Sequence, residues 1–460
     1  MTIIGLPTDI RILEIEHRFE ETPFTTPLKF GTGTIEKITC LNVRVRVENR
    51  LGKWADGIGQ VLLSVIWAFP SQAISLQKRD CILRELGEEY GKRLFGVLKD
   101  EYVHPLYTYH TQQELLCELE AEMMAMHRLS EPVPHLAGLM CSSPWDAALH
   151  DAFGKVNKVS TWAAYGPQFT MMDLSTILGD GFKGQWMTDF LHYPSAESLP
   201  VFHLVGGADD LTSLGASVPR YQETHDLPQT LQDWIRRDGV YCLKVKLTGT
   251  DMNWDVERTV DVGRVAQETL QTLGRKDYFL SVDSNEMHES PDVVMEYLLQ
   301  LKEKAPDVYT RLLYVEQPIA RDLTTHRFDM RKVANLKPVV VDESVTSLEL
   351  LDMAKKLGWS GVALKTCKGQ TASLLYIAKA VAAGLSYTVQ DLTNPGYALI
   401  HSAMLAAHSQ PIMGFEYNSR QYLPNYTCGL GVEFPELFKV KDGKVAIPKR
   451  DGLIGLGYPR

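Results

Sequence analysis

The sequence predicts an α/β protein built around a parallel eight-stranded barrel, preceded by a smaller α+β region. From Pro200 onward, short β-branched runs alternate with longer helical stretches, which is the pattern of repeated β-α units. Charged residues close several of these runs in succession. A parallel barrel gathers its active site at the carboxyl ends of its strands, so this recurrence favours a barrel with a polar mouth.

The first third of the chain predicts strands followed by helices. "DIRILEIEHRF" and "ITCLNVRVRVEN" alternate apolar and polar residues as half-buried strands do, and the pattern becomes helical from about Ser71. Ser143 followed by Pro144 predicts the start of a helix, because proline is favoured at the first helical position. The helical block is expected to end near Lys158.

These patterns divide the chain into segments. We expect an α+β domain over residues 1–158 and the barrel over residues 200–419. Residues 159–199 mix turn and aromatic residues without a clear period, and they are interpreted as an insertion or linker, or as a lid-like excursion. A chain of 460 residues accommodates a barrel of about 250 residues together with a second domain.

The composition indicates a small-molecule partner. A net charge of −10 argues against a nucleic-acid groove, since nucleic acid is itself a polyanion. Seven cysteines without a CxxC spacing suggest reduced thiols in the cytoplasm, and the N-terminus predicts neither export nor membrane insertion. A homo-oligomer is compatible with the sequence, because symmetric assembly is common among soluble enzymes.

Three carboxylates are predicted to form a metal site. "FLSVD" ends at Asp283, "LLYVE" at Glu316 and "VVVD" at Asp342. Each alone could be the N-cap of the next helix. Together at one barrel mouth they would repel one another unless a cation held them, and ligation by oxygen alone selects Mg²⁺ before Mn²⁺ or Ca²⁺. Zinc is not favoured, because His203 and His288 lack a partner at ligand spacing.

Two lysines share one face of the strand in "YCLKVKLTG". Lys244 and Lys246 are two positions apart and therefore project together. A neighbouring ammonium and a divalent cation both lower a lysine pKa, so Lys246 is predicted to be a base near pH 7, with Lys244 as its tuning charge. Lys365, which ends "GVALK", would approach from the opposite side of the barrel. Such a pair, with a metal to stabilise the enediolate, predicts removal of the proton α to a carboxylate. The alternative is that each lysine forms a buried salt bridge without a catalytic role.

Further polar residues adjoin the same strand ends. Asn285 follows Asp283 by two positions, and it is predicted to contact a ligand carboxylate or a metal-bound water. The other residues predicted to support the site or to bind substrate are Glu343, Lys368, Asp391 and Glu416.

These motifs together resemble the enolase superfamily, and within it the muconate lactonizing enzyme subgroup. The matching stretches are "KVK", "VDSN", "YVEQP", "VDES" and "LKTCKG" in that order, with "AALHDAFGK" upstream and "VKDGKVAIPKRDGLIGLGY" at the C-terminus. The resemblance implies a modified TIM barrel, (β/α)₇β, under an α+β capping domain formed by residues 1–158 and 420–460. It also implies Mg²⁺ on the three carboxylates, with Lys246 and Lys365 as the acid/base pair.

The sequence departs from relatives of this kind at several places. "GIGQ" carries Gln60 where members often have glutamate, and "FEYNSR" offers Glu416 where dipeptide epimerases carry an Asp-x-Asp pair. The seventh strand lacks the histidine of the mandelate racemase subgroup. The loop "ETPFTTPLKFGTG" is expected to set specificity, with Phe24, Leu28 and Phe30 either lining the pocket or belonging to the capping-domain core.

The function predicted from the sequence is therefore a reaction class. We expect a racemase, epimerase or cycloisomerase acting on a small carboxylic acid, with no nucleic-acid or membrane partner. The alternatives are an acid-sugar dehydratase on the same scaffold and a barrel that binds a carboxylate without turning it over.

Overall fold

The computed structural model describes residues 5–30, 33–213, 227–448 and 453–458. The strands in these ranges are β1 (Ile10–Phe30), β2 (Gly33–Asn49), β3 (Trp54–Leu62), β4 (Ser198–Val205), β5 (Cys242–Lys246), β6 (Phe279–Asp283), β7 (Leu312–Glu316), β8 (Val339–Val341), β9 (Gly361–Leu364), β10 (Ser386–Val389), β11 (Phe415–Glu416) and β12 (Lys444–Ala446). The α-helices are α1 (Val65–Ala68), α2 (Leu76–Leu98), α3 (Tyr109–Met126), α4 (His135–Asn157), α5 (Ser175–Leu178), α6 (Leu231–Asp238), α7 (Met252–Thr272), α8 (Pro291–Lys304), α9 (Pro306–Arg311), α10 (Arg331–Ala334), α11 (Leu348–Lys356), α12 (Gln370–Ala383), α13 (Gly396–Ala407), α14 (Ser419–Tyr422), α15 (Leu430–Glu433) and α16 (Pro435–Phe438). Within these ranges, no helix is both long and apolar enough to cross a bilayer.

Eight parallel strands form a closed barrel. Strands β4 to β11 pair in sequence order, and β11 pairs with β4 to complete the ring. Helices connect each strand to the next, so the predicted modified TIM barrel, (β/α)₇β, is confirmed. The strands are short apolar runs buried on both faces, as strands enclosed by helices must be. Their carboxyl ends therefore meet at one mouth.

The capping domain packs a three-stranded antiparallel sheet, β1-β2-β3, against helices α1 to α4. The close contact between this sheet and α4 requires the two glycines of "GIGQ", Gly57 and Gly59. A Cβ atom added at Gly59 would lie 1.7 Å from the carbonyl oxygen of Pro144, and one at Gly57 would lie 2.0 Å from that of Ala148. The absence of side chains at these two positions lets the backbone of α4 lie directly on β3.

The expected start of a helix at Ser143–Pro144 is wrong. Helix α4 already begins at His135 and contains Pro144 within it. Proline cannot donate a hydrogen bond to the carbonyl of Met140, four residues earlier. The hydroxyl of Ser143 donates to that carbonyl instead, at 2.9 Å, and so satisfies the group that the proline leaves open.

A buried polar cluster joins α4 to the barrel. The Asp146 carboxylate accepts hydrogen bonds from the backbone N–H and the hydroxyl of Thr371, both at 2.7 Å, and from the Gln112 amide at 2.8 Å. Thr371 lies in the first turn of α12, which follows Lys365 closely along the chain. The capping helix is therefore fixed to the segment that carries this lysine.

Residues of the 159–199 segment contact the end of α13, where the His408 ring stacks with Trp162 at 4.9 Å and with Tyr193 at 5.9 Å between ring centroids. The role of this segment stays a prediction. Residues 420–460 do not belong to the capping domain alone. The described part of this segment includes β12, which pairs antiparallel with β4 and extends the barrel sheet.

Candidate active site

A cavity of about 60 Å³ opens at the carboxyl ends of the barrel strands, beneath the capping domain. Both domains contribute to its wall. The barrel supplies Leu204, Lys244, Lys246, Asp283, Asn285, Lys365, Asp391, Leu392, Thr393, Glu416 and Asn418, and the capping domain supplies Phe24, Ile38, Ser64 and Trp67.

Three acidic residues predicted as ligands lie on adjacent strands. Asp283 and Glu316 end β6 and β7 and are direct partners in the sheet register, and Asp342 follows β8. None of the three is more than 1% exposed. Hydrogen bonds to two glutamines restrain these residues. The Gln390 amide donates to the Glu316 carboxylate at 2.6 Å, and the Asp342 N–H donates to the Gln317 side-chain oxygen at 2.8 Å.

Lys244 lies among the carboxylates. Its ammonium is 3.1 Å from Asp283, 2.7 Å from Glu316 and 2.9 Å from Glu416. Burial alone would lower the pKa of Lys244, but the carboxylates of Glu316, Glu416 and Asp283 outweigh burial and raise it. The Lys244 ammonium therefore offsets part of the negative charge of the carboxylates around it.

The other two lysines come from opposite sides of the barrel. Lys246 ends β5, and its ammonium lies 2.5 Å from Asp283 and 2.7 Å from the Asn285 side-chain oxygen. Lys365 follows β9, four strands away, with its ammonium 2.7 Å from Asp342. Burial opposes the charge on Lys365, but Asp342 raises its pKa on balance. The salt bridges considered as an alternative are present, and both lysines also line the cavity.

Two predicted supporting residues contact the residues around the predicted ligand carboxylates. Buried Lys368 donates to the backbone carbonyl of Asp342 at 2.6 Å and approaches its carboxylate at 3.2 Å, so it restrains that side chain. Glu343 accepts a hydrogen bond from the Trp67 indole at 2.9 Å. Burial and the neighbouring Asp342 carboxylate raise the pKa of Glu343 to about 7.

The remaining predicted residues form a polar wall. Asp391 accepts backbone hydrogen bonds from Asn394 and, at 2.6 Å, from Asn418, but burial still raises its pKa to about 7. Asn418 also approaches Glu416 through its amide, at 3.4 Å. Asp391, Glu416 and Asn418 therefore give the cavity a side rich in hydrogen-bonding groups.

The sequence analysis missed several residues of this site. Asn418 follows Glu416 by two positions, so strand alternation could have indicated it. Gln390 directly precedes Asp391, but its uncharged side chain was not predicted to belong to the site. Trp67 carries no local signal, because its role depends on a contact between two domains. Phe24 lines the cavity and also belongs to a hydrophobic core cluster, so both alternatives given for it apply, whereas the side chains of Leu28 and Phe30 lie outside the described residues.

The chain belongs to the family described as enolase C-terminal domain-like, whose model matches residues 226–457, or 232 of the 460 residues. Within the enolase superfamily it is a protein of the mandelate racemase/muconate lactonizing enzyme type. No curated protein matches the sequence.

Solved structures of the same architecture share little sequence with this chain. A dipeptide epimerase from Enterococcus faecalis V583, complexed with Mg and L-Leu-L-Tyr, matches with TM-score 0.60 and 16% identity over 97% of this chain and 99% of its own. An enolase from Bradyrhizobium, complexed with magnesium and mandelic acid, gives 0.58 and 17% over 99% and 97%. Muconate lactonizing enzyme from Pseudomonas fluorescens, complexed with muconolactone, gives 0.57 and 17% over 97% and 96%.

Proposed function

We propose that the protein is a Mg²⁺-dependent enzyme that removes the proton α to a carboxylate of a small acid, as a racemase, epimerase or cycloisomerase. One observation carries the proposal. Lys246 and Lys365 reach the same cavity from opposite sides of the barrel, beside three buried carboxylates. This arrangement suits proton transfer at both faces of one carbon atom.

The donor atoms of the three carboxylates are those that a hard divalent cation prefers, although their oxygens contact Lys244, Lys246 and Lys365 and do not all lie within 4.8 Å of one another. Asp283, Glu316 and Asp342 offer only oxygen atoms, from three neighbouring strand ends, and burial together with the nearby Asp283 charge raises the pKa of Glu316 well above its usual value. Such a cluster favours an added positive charge. Mg²⁺ bound there would offset the negative charge that develops on the substrate carboxylate when the α-proton leaves.

The two lysines would divide the proton transfers between them. In one direction, Lys246 takes the α-proton and Lys365 donates a proton to the opposite face; in the other direction the roles exchange. Lys244 attracts the substrate carboxylate. Phe24, Leu204 and Trp67 supply apolar surface that limits the access of water to the reacting carbon.

The polar wall favours a second candidate, an acid-sugar dehydratase. Asp391, Thr393 and Asn418 line the cavity and offer several groups to sugar hydroxyls. Loss of a β-hydroxyl from the same carbanionic state would then give the product. Dipeptide, mandelate and muconolactone are ligands of the structurally similar proteins, and each defines a compound class to be tested beside acid sugars.

Proton NMR in D₂O with Mg²⁺ tests the proposal and requires no assumption about the product. Pools of N-acyl amino acids, dipeptides, acid sugars and lactones are incubated with the enzyme and the Cα–H signals are followed. We expect a signal to disappear with the wild type and to persist with EDTA. With Lys365→Met it should persist for the enantiomer whose α-proton faces Lys365. Lys379→Met is the matched control, because Lys379 of α12 pairs with Asp352 of α11 and neither residue lines the cavity.

The outcome also separates the candidates. Retained connectivity after exchange supports racemisation or epimerisation, ring formation or opening supports a cycloisomerase, and loss of water supports the dehydratase. Exchange of both enantiomers at the wild-type rate in Lys365→Met would contradict the assignment of Lys365 as a base. Binding of Mg²⁺ and carboxylate without exchange in any pool would favour the non-catalytic alternative.

A further inference from the structure

Trp67 brings an aromatic ring from the capping domain to one of the two proposed bases. The residue lies in α1, is only 1% exposed and forms part of the cavity wall. The Lys365 ammonium lies 4.9 Å from the centre of its ring. An ammonium within about 6 Å of an indole face is attracted by the ring quadrupole, and the attraction is stronger where water is excluded.

The position of this ring is fixed by hydrogen bonds at both its side chain and its backbone. The indole N–H donates to buried Glu343 at 2.9 Å, and the Trp67 carbonyl accepts from Arg321 at 3.0 Å. Arg321 is itself held by Glu286, with nitrogen–oxygen distances of 2.8 and 2.9 Å. Both partners of Trp67 belong to loops at the barrel mouth, so its orientation is specified by the barrel.

We propose that Trp67 is a positioning residue for Lys365. Its ring holds the ammonium on one side of the substrate and so supports proton transfer at one face of the α-carbon. Lys246, on the other side, is held by Asp283 and Asn285 of the barrel. The inference rests on the proposed function, and it assigns to the capping domain a part in the chemistry at one face.

Two substitutions distinguish the effect of the aromatic ring from the effect of the hydrogen bond that the indole donates. Trp67→Leu removes both, whereas Trp67→Phe keeps an aromatic face and removes only the N–H. The readout is α-proton exchange in D₂O, measured for each enantiomer of the compound that exchanges with the wild type. The enantiomer whose exchange is abolished by Lys365→Met is the one that presents its proton to Lys365.

We expect Trp67→Leu to slow exchange of that enantiomer by about tenfold or more, because a displacement of 1 Å at a catalytic group can cost about 100-fold. Exchange of the other enantiomer should change much less, and KM should be nearly unchanged. Trp67→Phe should slow exchange of that enantiomer less than Trp67→Leu does, because it keeps an aromatic face and loses only the hydrogen bond to Glu343. Equal losses for both enantiomers, or an unaffected rate in Trp67→Leu, would overturn the inference.

Phe24→Leu controls for the general loss of an aromatic ring above the cavity. Phe24 also comes from the capping domain, but its ring stacks on Tyr422, with 6.1 Å between centroids. Any effect of this substitution should be the same for both enantiomers. A face-specific loss in Phe24→Leu equal to that in Trp67→Leu would show that the effect is not particular to Trp67.

Crystal structures with Mg²⁺ test the same inference without turnover. In Trp67→Leu the Lys365 nitrogen should move by more than about 1 Å, and in Trp67→Phe it should keep its position. An unmoved nitrogen in Trp67→Leu would overturn the positioning role. If the wild type exchanges no compound, the proposed function fails, but this structural comparison still decides whether Trp67 positions Lys365.

Discussion

Replacement of Lys244 by methionine tests the charge balance of the site. The Lys244 ammonium lies within 3.1 Å of three buried carboxylates, and methionine fills a similar volume without charge. Removing one partner of a buried ion pair costs about 3–5 kcal/mol, because the remaining charge loses its compensation. With three carboxylates affected, we expect a loss near the upper end of that range. Protonation of the carboxylates would reduce the loss of stability, so the free energy of unfolding is measured at pH 8.

Urea unfolding, followed by circular dichroism, measures this loss with EDTA and with Mg²⁺. A ligand at 100 times its dissociation constant stabilises the folded state by about 2.7 kcal/mol. The variant should gain more than the wild type from Mg²⁺, since the ion replaces the missing positive charge. Lys379→Met should cost less than about 1 kcal/mol, as an exposed pair does. A Lys244→Met protein as stable as the wild type in EDTA would refute this reasoning.

Two further predictions concern stability. Gly59→Ala should destabilise the fold by about 3 kcal/mol, because the new Cβ would lie 1.7 Å from the Pro144 carbonyl oxygen. Gly96 is exposed in α2, and a Cβ added there would have no atom within 4 Å. Gly96→Ala should therefore stabilise the fold by about 0.5–1 kcal/mol. The urea midpoints of the two variants measure these changes, and equal shifts from the wild-type midpoint would contradict the packing argument. Burial lowers the pKa of His401 to about 3 from 6.5, so the unfolded state binds a proton that the folded state refuses, and stability falls as pH drops through this window. Relative to the wild type, His401→Gln should gain about 1.4 kcal/mol per pH unit below 6.5. Parallel stability–pH curves for the two proteins would show that His401 does not titrate in this way.

The barrel and its charged mouth could be predicted because their signals are local. The ends of short apolar runs identify Asp283 and Glu316 from their own strands alone, and Lys365 follows from the same pattern. Strand alternation likewise indicates that Lys244 and Lys246 project together. These features depend on the pleat of a strand and on the common direction of parallel strands.

The features that escaped prediction depend on contacts between distant segments. Trp67 meets Glu343, 276 positions later in the chain, and no periodicity marks such a pair. Pro144 indicates the start of a helix by its own preference, but the Ser143 hydroxyl and the glycines of β3 allow α4 to continue through it. Similarly, the aromatic residues of 159–199 show no clear period, and the stacking of Trp162 and Tyr193 on His408 joins segments that are distant in the sequence.

The Asp146–Thr371 contact determines how a substrate can enter. With its carboxylate bonded twice to the first turn of α12, the capping domain cannot swing away as a rigid unit without breaking buried hydrogen bonds. We therefore expect a substrate to enter and leave without a rigid-body opening of the capping domain. Helix α4 and the segment that carries Lys365 would then keep the same relative position throughout a catalytic cycle.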